Sequence, residues 1–204
     1  LIEASARDAE RRAERARAAF DVRVSAGSLL RVDAPPPADA ATRALTVGWR
    51  RIVGREDEVV ASRGRLFDLI VVGRPGDDAD IAPETTLEAA LMESGRPVLV
   101  SPPVLGQTLA TRVAIAWNGS TSAARAVAAA SSFLAKAQSV LILEGDGAAA
   151  DGASADELAA MMAWRGIQPA IRRFRSDKGG IGHALLDAAT AEGADLLVMG
   201  GYGH

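Results

Sequence analysis

Short apolar runs alternate with amphipathic segments along the chain, and this alternation predicts β-strands separated by α-helices. The apolar runs are rich in β-branched residues, which is typical of strands covered on both faces of a parallel sheet. Strands are predicted at 44–53, 68–73, 96–101, 112–117, 139–143, 168–174 and 195–199. Apolar positions at steps of three and four predict helices at 3–20, 56–66, 84–94, 121–136, 153–165 and 181–192.

Strict alternation of the two element types predicts the α/β class, with a parallel sheet between layers of helices. Right-handed crossovers would bring the carboxyl ends of all strands to one edge of the sheet. Open α/β sheets bind their ligands at that edge. In the helix at 121–136 we expect the buried face to hold Ala123, Val127, Ala130 and Leu134.

An internal repeat divides the chain. The segment Asp-Leu-Ile-Val-Val-Gly-Arg-Pro-Gly at 68–76 matches Asp-Leu-Leu-Val-Met-Gly-Gly-Tyr-Gly at 195–203. Such a repeat predicts two tandem, doubly wound parallel-sheet domains of Rossmann-like type. We place the first at 1–103, a linker at 104–110 and the second at 111–204. By this register the first domain lacks its opening strand, and the second lacks its last helix and strand.

An aspartate begins each copy of the repeat, Asp68 in the first and Asp195 in the second. Both precede a strand, so both should lie at the edge of the sheet opposite the ligand edge. We expect each to cap the turn before it.

Composition excludes several classes of function. Twenty-six acidic residues against 23 basic ones give a net charge of −3, which disfavours a nucleic-acid or anionic-membrane surface. There is no Cys, hence no disulfide and no thiolate chemistry, which fits a cytoplasmic location. With two His and no recognisable catalytic or metal-binding motif, we predict no catalytic residue and no metal site. An apolar run of about 18 residues, which a membrane helix needs, is absent.

One candidate binding stretch follows the strand at 112–117. Asn118 and Gly119 form a turn there, and Ser120 or Thr121 caps the next helix. The amides and the positive dipole at that helix end suit a polar ligand. A capped turn without a ligand explains the same residues, since such caps end many strand–helix turns.

A second candidate is the loop Gly-Gly-Tyr-Gly at 200–203, which follows another buried strand. Glycines let the backbone approach a phosphate without interference from a Cβ atom. A simple turn is the alternative interpretation. The two candidate stretches reinforce each other, because a doubly wound sheet would place them at neighbouring strand ends.

Three stretches together resemble the universal stress protein family. Residues 113–120 resemble its first strand and Asp-Gly-Ser turn, residues 194–204 its fourth strand and the start of its nucleotide loop, and residues 94–100 its fifth strand. The resemblance covers nearly the whole chain. It implies a five-stranded parallel sheet between helices in each domain and a role in the stress response.

The resemblance also implies a ligand. ATP-binding members carry a loop of pattern Gly-x-x-Gly, nine residues, then Gly-Ser or Gly-Thr, and Gly200 and Gly203 match its opening. Asn118 stands where those members have an Asp that contacts adenine, and an amide can still hydrogen-bond a purine edge. We therefore expect ATP, with or without Mg²⁺, in the second domain. The expected nucleotide-binding residues are Ala116, Trp117, Asn118, Gly119, Ser120, Leu143, Met199, Gly200, Gly203 and His204.

The first domain departs from that pattern. Gly73 and Gly76 keep the opening glycines, but Thr86 and Leu87 stand where Gly-Ser would, and three aspartates lie within 77–80. Acids repel phosphate, so we expect no nucleotide here. The resemblance implies instead a structural partner, with strand 96–101 as the joint of an internal pseudo-dimer or of a homodimer.

The function expected is that of a stress-response regulator that binds ATP or ADP in its second domain, without catalysis beyond slow ATP hydrolysis at most. Two alternatives remain open at this point: a ligand-free interaction scaffold of the same fold, and an adenine-nucleotide hydrolase.

Overall fold

The computed structural model describes residues 2–27, 29–34, 45–76, 83–104, 106–146, 152–176 and 179–201. The helices are α1 (Ile2–Ala26), α2 (Glu56–Gly64), α3 (Glu84–Glu93), α4 (Thr121–Ala129), α5 (Ser131–Leu134), α6 (Ala155–Ala163) and α7 (Ile181–Ala191). The strands are β1 (Leu30–Arg31), β2 (Thr46–Val47), β3 (Ile70–Gly73), β4 (Val98–Ser101), β5 (Arg112–Trp117), β6 (Ser139–Gly145), β7 (Ala170–Phe174) and β8 (Leu196–Val198). Every strand pair among them is parallel, which confirms the α/β class.

The second half of the chain forms a four-stranded sheet in the order β7-β6-β5-β8. Strand β5 is central, with Val113 opposite Val140 of β6 on one side and Leu196 of β8 on the other. Strand β8 joins the sheet beside β5 rather than beside β7, so the winding direction reverses at β5. The carboxyl ends of β5 and β8 are therefore neighbours, as the sequence predicts.

Helices cover both faces of this sheet. Val113, Ile115 and Trp117 of β5 point into a core shared with α4, α5 and α6, whereas Ala114 and Leu143 belong to a second cluster beneath α7. Alternate residues of one strand thus enter opposite cores, which explains the unbroken apolar run. The face predicted for the helix after β5 is confirmed, because its four named residues are all buried: Ala123, Val127, Ala130 and Leu134.

The first half contains two separate strand pairs, β1 with β2 and β3 with β4. Helices α2 and α3 pack against each other, and α2 ends at Gly64 close to the start of β3. A Cβ atom on Gly64 would lie 2.5 Å from Cδ1 of Ile70, so the absence of a side chain permits this approach. The division into two domains, with a linker at 104–110, stays a prediction.

The strand predicted at 44–53 is wrong over most of its length, since only Thr46–Val47 is a strand. The residues after it turn towards α1 instead. The Trp49 ring lies 5.4 Å from that of Phe20, the Arg17 guanidinium lies over the Trp49 ring, and Arg51 hydrogen-bonds Glu10. Packing against α1 thus overrides a local preference for extended structure.

Candidate functional site

The candidate site lies at the carboxyl edge of the four-stranded sheet, where β5 and β8 end side by side. The pairing of Ile115 with Val198 places the next residues of both strands at this edge. The turn at Asn118 and the loop that begins at Gly200 are therefore adjacent. The first turn of α4 lies between them and supplies a positive helix end.

The turn after β5 is tightly organised by its own side chains. The Asn118 side-chain oxygen accepts a hydrogen bond from the Ser120 amide at 3.1 Å. Ser120 is the N-cap of α4, and its hydroxyl accepts from the Ala123 amide at 3.2 Å. Gly119 between them has φ +74°, which glycine adopts without strain. The amide group of the exposed Asn118 side chain projects at the sheet edge.

Gly200 packs directly on the first turn of α4. A Cβ atom there would lie 2.7 Å from the Ala123 amide nitrogen and 2.7 Å from the Ser122 hydroxyl. Any larger residue at 200 would have to move the backbone of α4 or of the loop. The close packing on α4 accounts for a glycine at this position. The role in nucleotide binding that the sequence suggests for Gly200 stays a prediction.

The segment before α6 also reaches the turn, which the sequence did not predict. The backbones of Gly119 and Gly152 are in direct contact, since a Cβ on Gly119 would lie 2.9 Å from the Gly152 Cα. The Trp117 indole donates a hydrogen bond to the Ala153 carbonyl at 2.7 Å. The Gly-Ala-Ser run at 152–154 is a sequence signal for a tight approach, but it does not reveal the partner.

An ion-pair cluster lies at the same edge of the sheet, beside the carboxyl ends of β6 and β7. The half-buried Glu144 accepts hydrogen bonds from the Ala155 amide at 2.9 Å and from Arg173 at 2.8 Å, and Arg173 also binds Asp156. The hydrogen bonds that Arg173 donates to Asp156 and Glu144 raise the pKa of Arg173 above its ordinary value. With two carboxylates and one guanidinium, the cluster keeps one negative charge beside β6 and β7. The positive end of α4, beside β5 and β8, is a feature of this edge that attracts an anion.

The predicted site residues do not all face the edge. Trp117 and Leu143 are buried in opposite cores, Ala116 is half-buried beside Leu143, and Met199 is 54% exposed. Asn118, Gly119, Ser120 and Gly200 come together around the start of α4. Gly203 and His204 lie outside the described residues.

At the opposite edge, Asp195 holds the start of β5. Its carboxylate accepts hydrogen bonds from the amides of Thr111 at 3.1 Å and Arg112 at 2.9 Å. The expected position of Asp195, at the edge opposite the candidate site, is confirmed. The expectation that Asp195 caps the preceding turn is wrong, because the amides it binds belong to a neighbouring strand.

Among the residues that the structure describes, no three His, Cys, Asp or Glu side chains group to hold a metal ion. None of the described helices is long and apolar enough to cross a membrane. Two hollows in the described surface lie away from the site, one lined by Leu109, Phe133 and Lys136, the other between α1 and Trp49.

An open α/β sheet with a glycine-lined edge at its reversal point belongs to a widespread class of ligand-binding folds. Among solved structures, the chain is similar to a universal stress protein from Archaeoglobus fulgidus DSM 4304, with a TM-score of 0.57 and 17% identity. The match covers 78% of this chain and 57% of that one, so the chain spans little more than half of the solved protein. No family model and no curated protein matches. The fold is therefore universal stress protein-like, as the sequence predicts.

Proposed function

We propose that the second half of the chain binds an adenine nucleotide, ATP or ADP, at the edge between Asn118 and Gly200, and that the protein is a non-catalytic stress-response regulator. One observation carries the proposal: Gly200 packs on the first turn of α4, with its Cβ position 2.7 Å from the Ala123 amide. The loop after β8 thereby meets the helix end that follows the Asn118 turn.

This arrangement suits the two parts of a nucleotide. Phosphates are attracted by the positive end of α4 and by main-chain amides of the loop that begins at Gly200. The exposed Asn118 amide and the exposed Met199 side chain offer a polar and an apolar contact to a purine. The binding of ATP, with or without Mg²⁺, would order the loop and so alter a surface that a partner senses.

Binding without catalysis is supported by three carboxylates near this edge, because each of them already accepts a hydrogen bond. Glu144 is bonded to the Ala155 amide and Arg173, Asp146 accepts from the Ser176 amide at 2.7 Å, and Glu157 accepts from the Ser154 amide at 2.8 Å. A general base must be within reach of the proton that it takes. With these partners in place, we expect phosphate release from ATP to stay near the uncatalysed rate.

Calorimetric titration of the full chain with ATP, with and without Mg²⁺, tests the proposal. Gly200→Ala should weaken binding by about tenfold or more, since its new methyl group would displace backbone at α4. Gly182→Ala in α7 is the matched control, because Gly182 lies outside the loop and a Cβ there meets nothing within 4 Å. Equal affinities for the two variants, or no heat for the parent chain up to millimolar ATP, would refute nucleotide binding here.

A second candidate function is a ligand-free interaction scaffold. Two amides at the start of α4 are already bonded, that of Ser120 to Asn118 and that of Ala123 to the Ser120 hydroxyl. Those two amides therefore have hydrogen-bond acceptors without any ligand. Normal folding of the parent chain without any heat from ATP or ADP would favour the scaffold. In either case we propose β4 as the joint of a pseudo-dimer or homodimer, since the resemblance to the family implies pairing through that strand.

A further inference from the structure

Helix α6 is apolar on two opposite faces. Residues 158–164, which are its last six residues and its C-cap, contain no charged side chain. One face packs in the core around β5, where Ala155 and Met162 are buried. On the other face, Met161 is 59% exposed and Trp164, the C-cap, is 87% exposed. Because a helix that is hydrophobic all round is normally buried all round, the outer face of α6 indicates a surface that another molecule covers.

The exposed face has a regular spacing. Its members are exposed and follow one another at i, i+3, i+4 and i+7: Glu157, Ala160, Met161 and Trp164. This spacing places them in one stripe along the helix, which we call the outer stripe. The stripe begins with an acid, is apolar in the middle, and ends with Trp164 followed by Arg165. Its two ends therefore differ in charge, and its middle is suited to apolar packing.

The two ends of the outer stripe have unused bonding capacity. Arg165 is exposed and makes no ion pair with any residue that the structure describes, and the Trp164 indole has no acceptor among those residues. Glu157 binds the Ser154 amide and hydroxyl through one carboxylate oxygen, Oε2. These hydrogen bonds lower the pKa of Glu157, so its carboxylate is ionised at neutral pH. A donor and a cation at one end thus match an acceptor anion at the other.

We propose that the outer stripe is a self-association surface, on which α6 of a second copy of the chain packs antiparallel. A two-fold axis between Ala160 and Met161 brings Glu157 of each copy level with Trp164 of the other. Glu157 then accepts from the indole N–H of the other copy, which a buried Trp requires, and pairs with the neighbouring Arg165. The contact is isologous, with the same stripe used on both sides.

The antiparallel orientation follows from the charges. It places the acidic first turn of each helix beside the basic end of the other, and it also pairs the positive end of each helix dipole with a negative one. A parallel arrangement would place Glu157 against Glu157 and Arg165 against Arg165, which like charges disfavour. Ala160 beside the axis is small, so the two helices can approach to the usual distance of about 8–10 Å. The stripe therefore complements itself, and no different partner has to supply the missing groups.

An introduced thiol tests the contact directly, since the chain contains no Cys. Ala160→Cys should give a disulfide-linked dimer on mild oxidation, because the two-fold axis brings both Cα atoms within the distance of about 7 Å that a disulfide spans. Ala191→Cys is the matched control. Ala191 is also an exposed helical alanine, but it lies in α7, which covers the opposite face of the sheet. This control should stay unlinked under the same oxidation.

Sedimentation equilibrium of the full chain measures the dissociation constant of the dimer. Arg165→Glu should raise it by about tenfold or more, since an acid then faces Glu157 at two places in each dimer. Trp164→Ala removes the largest apolar group of the stripe and should also raise it by about tenfold or more. Arg63→Glu makes the same charge change near the end of α2 and should stay within about twofold of the parent. Circular dichroism of each variant checks that the fold is kept.

Two results would overturn the proposal. The first is a parent chain that stays monomeric at about 100 μM, where a dimer of micromolar Kd would be formed; the face would then serve a different protein. The second is a dimer that Arg165→Glu and Trp164→Ala leave unchanged and that Ala160→Cys does not link, because such a dimer uses another surface, such as β4. Neither result bears on nucleotide binding, which calorimetry measures at the edge between Asn118 and Gly200.

Discussion

Asp195 and Arg112 bind each other in both directions across 83 residues of sequence: the Arg112 amide donates to the Asp195 carboxylate, and the Asp195 amide donates to the Arg112 carbonyl, each at 2.9 Å. The reciprocal pair fixes the register of β8 on β5 at the edge away from the candidate site. It thereby also sets where Gly200 meets α4 at the other edge, since both strands are rigidly paired between the two points.

Replacement of that carboxylate should cost stability in a pH-dependent way. Burial alone would raise the pKa of Asp195, but hydrogen bonds from the Thr108 side chain and from the amides of Arg112 and Thr111 outweigh burial and lower it. A lowered pKa stabilises the fold above the unfolded value of about 3.9, and this stabilisation is lost as the pH falls through the folded value. At pH 7, Asp195→Asn should lower the free energy of unfolding by about 1–2 kcal/mol.

Urea denaturation of both proteins between pH 7 and pH 3 checks this prediction. The difference between them should shrink as the pH falls below about 4, because the unfolded carboxylate then binds a proton at a pH where the native carboxylate, with its lowered pKa, is still ionised. Asp68→Asn is the matched control, because Asp68 begins the other repeat and has no hydrogen-bond partner within the described residues. A difference between Asp195→Asn and the parent that stays constant over the whole pH range would contradict the prediction.

The contact between Gly119 and Gly152 should make Gly119 unusually intolerant of a side chain. Gly119 has φ +74° and Gly166 has φ +76°, but a Cβ on Gly166 would meet nothing within 4 Å. Gly166→Ala should therefore cost only the left-handed strain, about 1–2 kcal/mol. Gly119→Ala should add roughly 1–3 kcal/mol for the displaced backbone at Gly152. Thermal and urea unfolding of the two variants measures the difference, and equal losses would show that the contact is unimportant.

Removal of the N-cap of α4, the Ser120 hydroxyl, should cause a smaller loss of stability. Ser120→Ala removes the hydroxyl that accepts from the Ala123 amide, which should destabilise the protein by about 1 kcal/mol. Ser132→Ala is a suitable control, since Ser132 is an exposed helical residue outside any cap. Urea denaturation should leave the control within about 0.5 kcal/mol of the parent. A Ser120→Ala variant as stable as the control would mean that water replaces the cap.

Asn118→Asp should tighten ATP binding if the nucleotide site exists. The side-chain oxygen that accepts from the Ser120 amide is retained, so the turn should keep its shape. A carboxylate is a stronger acceptor for the amino group of adenine, worth about 1 kcal/mol, or roughly fivefold in Kd. Calorimetry with ATP measures the change, and GTP, which lacks that amino group, serves as the comparison. A similar gain for both nucleotides would argue against an adenine contact at Asn118.

The strands and helices of the second half were predictable from sequence to within about two residues at each end, apart from the break in the helix after β5. Strand β5 occupies Arg112–Trp117, as its apolar run indicates, because both faces of that strand are buried and the pattern has one physical cause. The helix after it is divided at Ala130, with φ −82° and ψ 3°, a local break that the helical spacing of the apolar residues does not record.

Features that depend on distant contacts were not predictable. The strand expected around Trp49 gives way to packing of Trp49 on Phe20, and β1 is only two residues long, with both residues exposed. In the site, the sequence indicates the Asn118 turn because Asn, Gly and Ser are local signals. The contact of Gly152 and Ala153 with the turn joins segments more than 30 residues apart, and a single sequence does not reveal which segments meet.

The hydrogen bond from the Trp117 indole to the Ala153 carbonyl makes the fluorescence of Trp117 a probe of the loop before α6. The Trp117 ring is 6% exposed and held at 2.7 Å by the loop before α6, whereas Trp164 is 87% exposed. A molecule that displaces this loop breaks the hydrogen bond and exposes the indole to water, which shifts the Trp117 emission to longer wavelength. With Trp49 and Trp164 both replaced by Phe, the emission wavelength of Trp117 would report on the loop in real time, without any label.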